Sequence, residues 1–455
     1  MTDLKGKKVT VVGLGESGFS AARLLKKLGA RVRVSELRDG SGLKSRLKSL
    51  EPVECEAGGH TRRFISESDL VVMSPGVAPD SGPARWAAEL GIPVIGELEL
   101  GCRFSAAPVI AVTGTNGKST VASLIHEILK ANSVNSFLLG NIGRPLCEDA
   151  PDIPPEAVIT LEASSFQLER IDTFRPKVAV MLNLTRDHLD RYKDMDSYRR
   201  AKLRVFENQG PSDYAVLDYD DPSVRDVSAA IRSKTFYFSL KRKVIGGYAK
   251  GDGLFVDLGG GAERICRRSD IGLPGAHNLK NVLAAALAVR LMNEKYVIAE
   301  AVRGFRPLRH RFETVAEIGG VRFIDDSKST TVDSTMAVLE ASRPSGVILI
   351  AGGRDKGGDY SRLMRQSKKI KYLVLIGEAR KKIRSSIDGA GIPVREAAGM
   401  KEAVSFSKRA AAPGDTVLLS PMCSSFDMFR DYKERGEAFI AAVAGRRELC
   451  RVREG

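Results

Sequence analysis

The feature that most constrains this chain is an apolar run, Val109–Val112, that empties into TGTNGKST at residues 113–120 and then into an apolar helical repeat from Val121 to Leu129. Strand, glycine-rich loop and helix in that order form a phosphate cradle. Gly114 and Gly117 let backbone amides converge on phosphate oxygens. Lys118 can neutralise charge between the outer phosphates, and Ser119 or Thr120 can place a hydroxyl on Mg²⁺. A plain helix N-cap explains the serine but not the glycines, lysine and hydroxyls together. ATP is the expected ligand.

The same grammar recurs on both sides. Val9–Val12 runs into GLGESG, with Gly13, Gly15 and Gly18, then a helical stretch and a second strand at Val32–Val34. Glu36 follows where a ribose-binding acid would stand, so this βαβ unit taken alone reads as a dinucleotide site. Further strands end in SPGVAP, with Ser74 and Gly76, and in GELEL. After RGFRPLRHRFE the pattern restarts: Val321–Ile324 into DDSKSTTVDST, Val347–Ile350 into AGGRDKGGD, Leu373–Ile376 into GEA, and Val417–Leu419 into SPMCSSFDMF. Polar tips carrying Asp, Lys, Ser, Thr and one aromatic suit a small zwitterion such as an amino acid.

With 455 residues and a prior of roughly 150 per domain, about three domains are expected. The fold class read from these patterns is α/β. It comprises an N-terminal Rossmann-like domain at 1–106 and a central P-loop ATPase-like domain at 107–306. The third domain, at 307–455, is an open α/β sheet. Within the central domain, runs at 235–238, 244–249 and 254–258 predict a small antiparallel lateral sheet.

Two central strands end in chemistry. Val158–Leu161 empties into Glu162 and ASSFQLE, and Val178–Leu182 into NLTRDHLDRY with His188. A carboxylate and an imidazole can complete a Mg²⁺ shell with phosphates and waters. Lys202 lies in the helical stretch Tyr198–Phe206, and composition alone reads it as a solvated lysine. GLPGAHNLKN places His277, Asn278 and Asn281 at the start of an Ala-rich helix, where a purine or ribose could be held.

Lys and Arg number 71 against 56 Asp and Glu, a net charge of +15 that favours anionic partners. No recognition helix, zinc spacing or interleaving of aromatic and basic residues accompanies it, so no nucleic-acid partner is expected. The six cysteines show no CxxC spacing. Without a signal-like segment or a membrane-length apolar run, the expectation is a cytoplasmic protein with no membrane insertion. A monomer is expected.

Taken in order, TGTNGKST, Asn141 in GNIG, EASSFQLE, DHLDRY, the lysine of AKLRVFE, GAHNLKN, HRFE, DDSKSTT, GGRDKGG and SPMCSSFDMF resemble the Mur ligase family over almost the whole chain. Among its branches, the SSFDMF ending and DSKST tip are most similar to the one that joins D-glutamate to UDP-N-acetylmuramoyl-L-alanine. Siblings adding L-alanine or a diamino acid, and folylpolyglutamate synthase, are the nearest alternatives. The resemblance implies a UDP site, not an NAD site, built from Gly13, Leu14, Gly15, Glu16, Ser17, Glu36, Leu37, Arg38, Ser74 and Gly76, with Asn141 also on that substrate. It implies ATP on Gly114, Thr115, Asn116, Gly117, Lys118, Ser119, Thr120, Asn278, Arg311, Asp326 and Lys356. Ser119, Glu162, His188 and a carbamylated Lys202 would hold Mg²⁺. Lys118, Glu162, His188, Lys202 and Arg311 would be catalytic, and Lys328, Thr330, Ser425 and Phe426 would surround D-glutamate. The implied reaction passes through an acyl phosphate, releases ADP and phosphate, and is gated by closure of the last domain. One residue sits awkwardly: Glu16 would oppose a diphosphate unless its side chain points away.

Overall fold

The computed structural model describes residues 3–188, 191–273, 275–306, 308–342 and 346–445. Cys450 and two residues of DHLDRY, Leu189 and Asp190, lie outside them, as does Pro274 of the GLPGAHNLKN run.

Three sheets carry the fold. The first is five-stranded and parallel, in the order Glu54–Ala57, Arg31–Glu36, Lys8–Val12, Leu70–Met73, Val94–Gly96. Strand order reverses at Lys8–Val12, so the loops after this strand and after Leu70–Met73 meet at one switch point, where such sheets bind ligands.

The second sheet is nine-stranded. Val109–Thr113 lies between Val158–Glu162 and Val178–Met181, with Ser136–Gly140 beyond the former. These strands read as apolar runs because both faces are covered; Ile110, Ala111 and Val112 are wholly buried. On the other side the sheet continues through Tyr214–Asp218 and Lys234–Ser239 to Gly246–Lys250, Gly253–Asp257 and Ala262–Arg267.

Of the lateral strands, Gly246–Lys250 and Gly253–Asp257 pair antiparallel as expected, as part of the nine-stranded sheet. Lys234–Ser239 pairs in parallel with both neighbours, and only the ladders joining the last three strands are antiparallel. The parallel pairing of Lys234–Ser239 with Tyr214–Asp218 follows from the connection: a short helix, Pro222–Arg225, and a 3₁₀ turn, Asp226–Ala230, return the chain to the starting end of the sheet, as a parallel crossover requires.

The third sheet has six strands, ordered Glu313–Ile318, Val321–Asp325, Thr416–Leu419, Val347–Gly352, Ile370–Ile376, Val394–Glu396. It is parallel except for its first strand, an antiparallel edge.

The chain divides into two compact units. Residues 1–184, 194–271 and 280–305, holding the first two sheets, form one. Residues 185–193, 272–279 and 306–455 form the other, so the stretches bearing His188 and Asn278 group with the third sheet. Within the first unit, the helix Glu97–Arg103 joins the two sheets, and the buried Glu99 fastens it by accepting from the amides of Asp172, Thr173 and Phe174. None of the helices among the described residues is long and apolar enough to cross a membrane.

Candidate active site

In the first sheet, Gly13 has φ +83°, a conformation that favours glycine, and Ser74 Oγ donates to its carbonyl at 2.7 Å. Gly18 packs so closely on Gly13 that an added Cβ would overlap the carbonyl oxygen. The Glu36 carboxylate closes the loop, accepting from Leu14 N at 2.5 Å and from Arg38 N at 3.1 Å. Arg46 donates to the Leu14 carbonyl and lies 3.3 Å from Glu16, whose side chain is 85% exposed. The acid at 16 is therefore exposed to solvent and has a cation beside it.

The phosphate loop rests on residues 182–183. Gly114, at φ +141°, would place a Cβ 3.1 Å from Leu182 Cβ; Gly117, at φ +88°, would place one 2.6 Å from Asn281 Oδ1. Gly117 caps the helix Lys118–Ala131, whose first amides have no partner within the helix itself. Lys118 Nζ donates to the carbonyls of Gly114 (3.0 Å) and Thr115 (2.8 Å). Lys202 is only 1% exposed; its Nζ donates to the same Gly114 carbonyl at 2.8 Å and lies 4.6 Å from the Tyr198 ring centroid. Lys202 is thus no solvated helix lysine. It is a buried group at the phosphate loop, 88 residues away in sequence.

Glu162 ends its strand at 1% exposure, and Asn141 Nδ2 donates to its Oε1 at 2.7 Å. Asn141, assigned to substrate from sequence, here orients the candidate metal ligand. The ASSFQ stretch that follows is a capping box: Ser164 Oγ accepts from Gln167 N, and Gln167 Oε1 accepts from Ser164 N. Ser119 and Thr120 are buried at the helix start. Buried hydroxyl and carboxylate oxygens are the hard donors that Mg²⁺ prefers, so the residues present fit that ion.

In the second unit, His188 adopts φ +55° and is one-third exposed. Beside it Asp187 is buried and receives Lys356 Nζ at 2.7 Å. Lys356, read as a nucleotide contact, is therefore tied to the residue adjoining His188. Asn278 N donates to Gly275 O, fixing the start of the helix Ala276–Met292, and burial lowers the pKa of His277. Asp326 is buried with both oxygens engaged, Oδ1 by Phe312 N and Oδ2 by Ser420 Oγ. Desolvation raises its pKa to about 6, against the lowering effect of hydrogen bonds from Ser329 and Ser420 and the charge of Arg311.

The tip at 325–331 meets the tip at 420–426 through Arg435, which is 1% exposed. Its guanidinium donates to Ser327 Oγ, Ser327 O and Cys423 O at 2.8–3.0 Å. Burial pulls its pKa down to about 10. Lys328 Nζ lies 3.9 Å from the Tyr432 ring centroid, and the amide of Thr330 donates to Lys328 O. Ser425 is buried, whereas Phe426 presents 61% of its surface. His310 Nδ1 pairs with Asp325 Oδ2 at 2.7 Å beneath the tip, where Gly436 leaves room for both.

Asn183, Asp187, His310 and Arg435 were not singled out from sequence. Asn183 and Asp187 had a signal, since each stands in the run that carries His188. Arg435 had none, being one charged residue in an ordinary amphipathic helix.

Three family models match in succession: a Mur ligase MurD-like N-terminal domain over residues 7–96, a Mur ligase middle domain over 112–289 and a Mur ligase glutamate ligase domain over 310–423. Curated proteins named UDP-N-acetylmuramoylalanine--D-glutamate ligase from Pelotomaculum thermopropionicum and Geotalea daltonii are each 44% identical, the match covering 97% of this chain and 98% of theirs. Among solved structures, UDP-N-acetylmuramate-alanine ligase MurC of Thermotoga maritima aligns with TM-score 0.62 at 18% identity, covering 96% of this chain and 99% of that one. The MurF ligase of the same organism, in complex with ADP, aligns with TM-score 0.60 at 16% identity, covering 97% and 96%. At such identities the structures speak to the shared fold.

Proposed function

The chain belongs to the Mur ligase family, and from that premise we propose that it joins D-glutamate to UDP-N-acetylmuramoyl-L-alanine, converting ATP to ADP and phosphate. The observation that carries the ATP half is the convergence of Lys118 and the buried Lys202 on the Gly114 carbonyl inside the phosphate loop. The amino acid follows from the named activity of relatives that match from end to end.

The alanyl carboxylate attacks the γ-phosphorus; the new P–O bond forms as the bond to the β-phosphate oxygen breaks, and ADP leaves. The amine of D-glutamate then attacks the acyl carbon, and the tetrahedral species expels phosphate as the amine loses its proton. Carboxylate and triphosphate repel, so Lys118 and Arg311 counter the charge that develops in transfer. Mg²⁺, when bound, supplies further charge neutralisation at the phosphates. Ser119, Glu162 and His188 would hold it, with Asn141 fixing the Glu162 carboxylate. Lys202 as a carbamate completes that set: the neutral amine adds CO₂ and releases a proton, exchanging a cation for an anion.

Gly13, Leu14, Glu36, Leu37, Arg38 and Ser74 line the UDP end of the substrate. Asn278 and Lys356 serve the nucleotide, and Asp326, with both oxygens engaged, serves it by fixing the tip at 325–331. Lys328 meets a carboxylate of D-glutamate, with Thr330, Ser425 and Phe426 around it. Phosphate release measured with each of the three substrates left out in turn tests the reading. It requires all three.

A further inference from the structure

Asn183 is joined to the phosphate loop in a way that no simple packing role requires. Its side chain forms a fork on one residue: Oδ1 accepts from Asn116 N at 2.8 Å, and Nδ2 donates to Asn116 O at 2.9 Å. Its own carbonyl accepts from Thr115 N at 3.0 Å. Three loop backbone groups are thereby bound by one residue, 67 positions from Asn116. Of the side chains that carry both a donor and an acceptor on a planar head, asparagine alone has this short reach. Aspartate lacks the donor, and glutamine is one methylene longer.

The two bonds to Asn116 have a directional consequence. They turn the amide and carbonyl of Asn116 toward the strand end at 182–183. The loop then bends at Gly117, and the helix opens at Lys118 with its first amides directed toward the loop. The close seating of Gly114 on Leu182 and Asn183 keeps that bend from relaxing.

We propose that Asn183 is a positioning residue for the triphosphate: it touches no substrate, but its side-chain fork sets the curvature of the loop and so the affinity for nucleotide. The proposal rests on the ATP reading of that loop. Loss of both hydrogen bonds of the fork predicts a weakening of nucleotide binding on the order of tenfold.

The test is ADP affinity by equilibrium dialysis with Mg²⁺, together with KM for each substrate, in wild type, Asn183→Ala and Asn183→Ser. Serine offers a smaller polar replacement should the alanine variant be insoluble. The expected result is about tenfold weaker ADP binding and a similar rise in KM for ATP, with KM for the UDP-substrate and for D-glutamate within about twofold of wild type. Unchanged ADP affinity overturns the proposal, as does a uniform rise in all three KM values together with a lowered Tm, which marks general loosening. Failure of wild type itself to bind ADP instead overturns the ATP reading, and this proposal with it.

Discussion

The Nζ of Lys202 and the carbonyl oxygen of Gly114 lie 2.8 Å apart, in a site where Lys202 is all but inaccessible to solvent. A long, flexible cation is seldom buried without a reason, since burying charge is costly unless it is paired.

If that reason is carbamylation, Lys202→Ala lowers turnover at least a hundredfold, and a small carboxylate such as formate restores part of it. The check is phosphate release with and without formate, alongside bicarbonate-depleted wild type. Full activity in the unrescued variant contradicts the carbamate.

The Asn141 side chain holds the Glu162 carboxylate through a hydrogen bond of 2.7 Å. A bond to a charged group is worth about 1.5–3 kcal/mol, so Asn141→Ala is expected to cost roughly ten- to a hundredfold in kcat. Asn141→Asp is expected to be worse, because it sets a second carboxylate against the first. A titration of activity against Mg²⁺ reads the effect as a raised metal requirement.

Arg435 satisfies three acceptors on two separate tips. Arg435→Met leaves them buried and unpaired, with an expected stability loss of roughly 3 kcal/mol and a raised KM for D-glutamate. Arg435→Lys recovers only part of this, because an ammonium cannot reproduce the planar fork. Urea denaturation gives the first quantity, and initial rates the second.

Asp326 makes stability depend on pH. Its folded-state pKa, about 6, stands above the ordinary carboxylate value, so the folded chain binds a proton more tightly than the unfolded chain does. Stability contributed by this group is therefore present below about pH 4 and lost as pH rises to about 6. Asp326→Asn removes the effect, and its stability relative to wild type is expected to increase between those values. Parallel urea midpoints across pH 4–7 contradict it.

The strand, loop and helix units were legible in the sequence because each is local: the apolar run, the glycines and the helical repeat are contiguous. So was the loop at 113–120 between strand and helix, whose Gly, Lys and hydroxyl residues are contiguous. Arg435 was not, because its partner Ser327 is 108 residues away and the contacts run mostly to backbone, which carries no residue-type signal. Lys202 looked solvated because its helix, Met195–Leu203, is rich in charge; the carbonyl that receives it belongs to another strand's loop. The strand Lys234–Ser239 was found, but its direction depended on the crossover before it, and alternation patterns do not encode pairing sense.

The central claim is that this chain activates one particular carboxylate for one particular amine. Its most direct test is phosphate release from ATP and Mg²⁺ with UDP-N-acetylmuramoyl-L-alanine, across a panel of D-glutamate, L-glutamate, L-alanine, L-lysine and a diamino acid. The account predicts release that requires the UDP-substrate and is fastest, by at least tenfold, with D-glutamate. Release that ignores the amino acid, or that prefers another member of the panel, contradicts it.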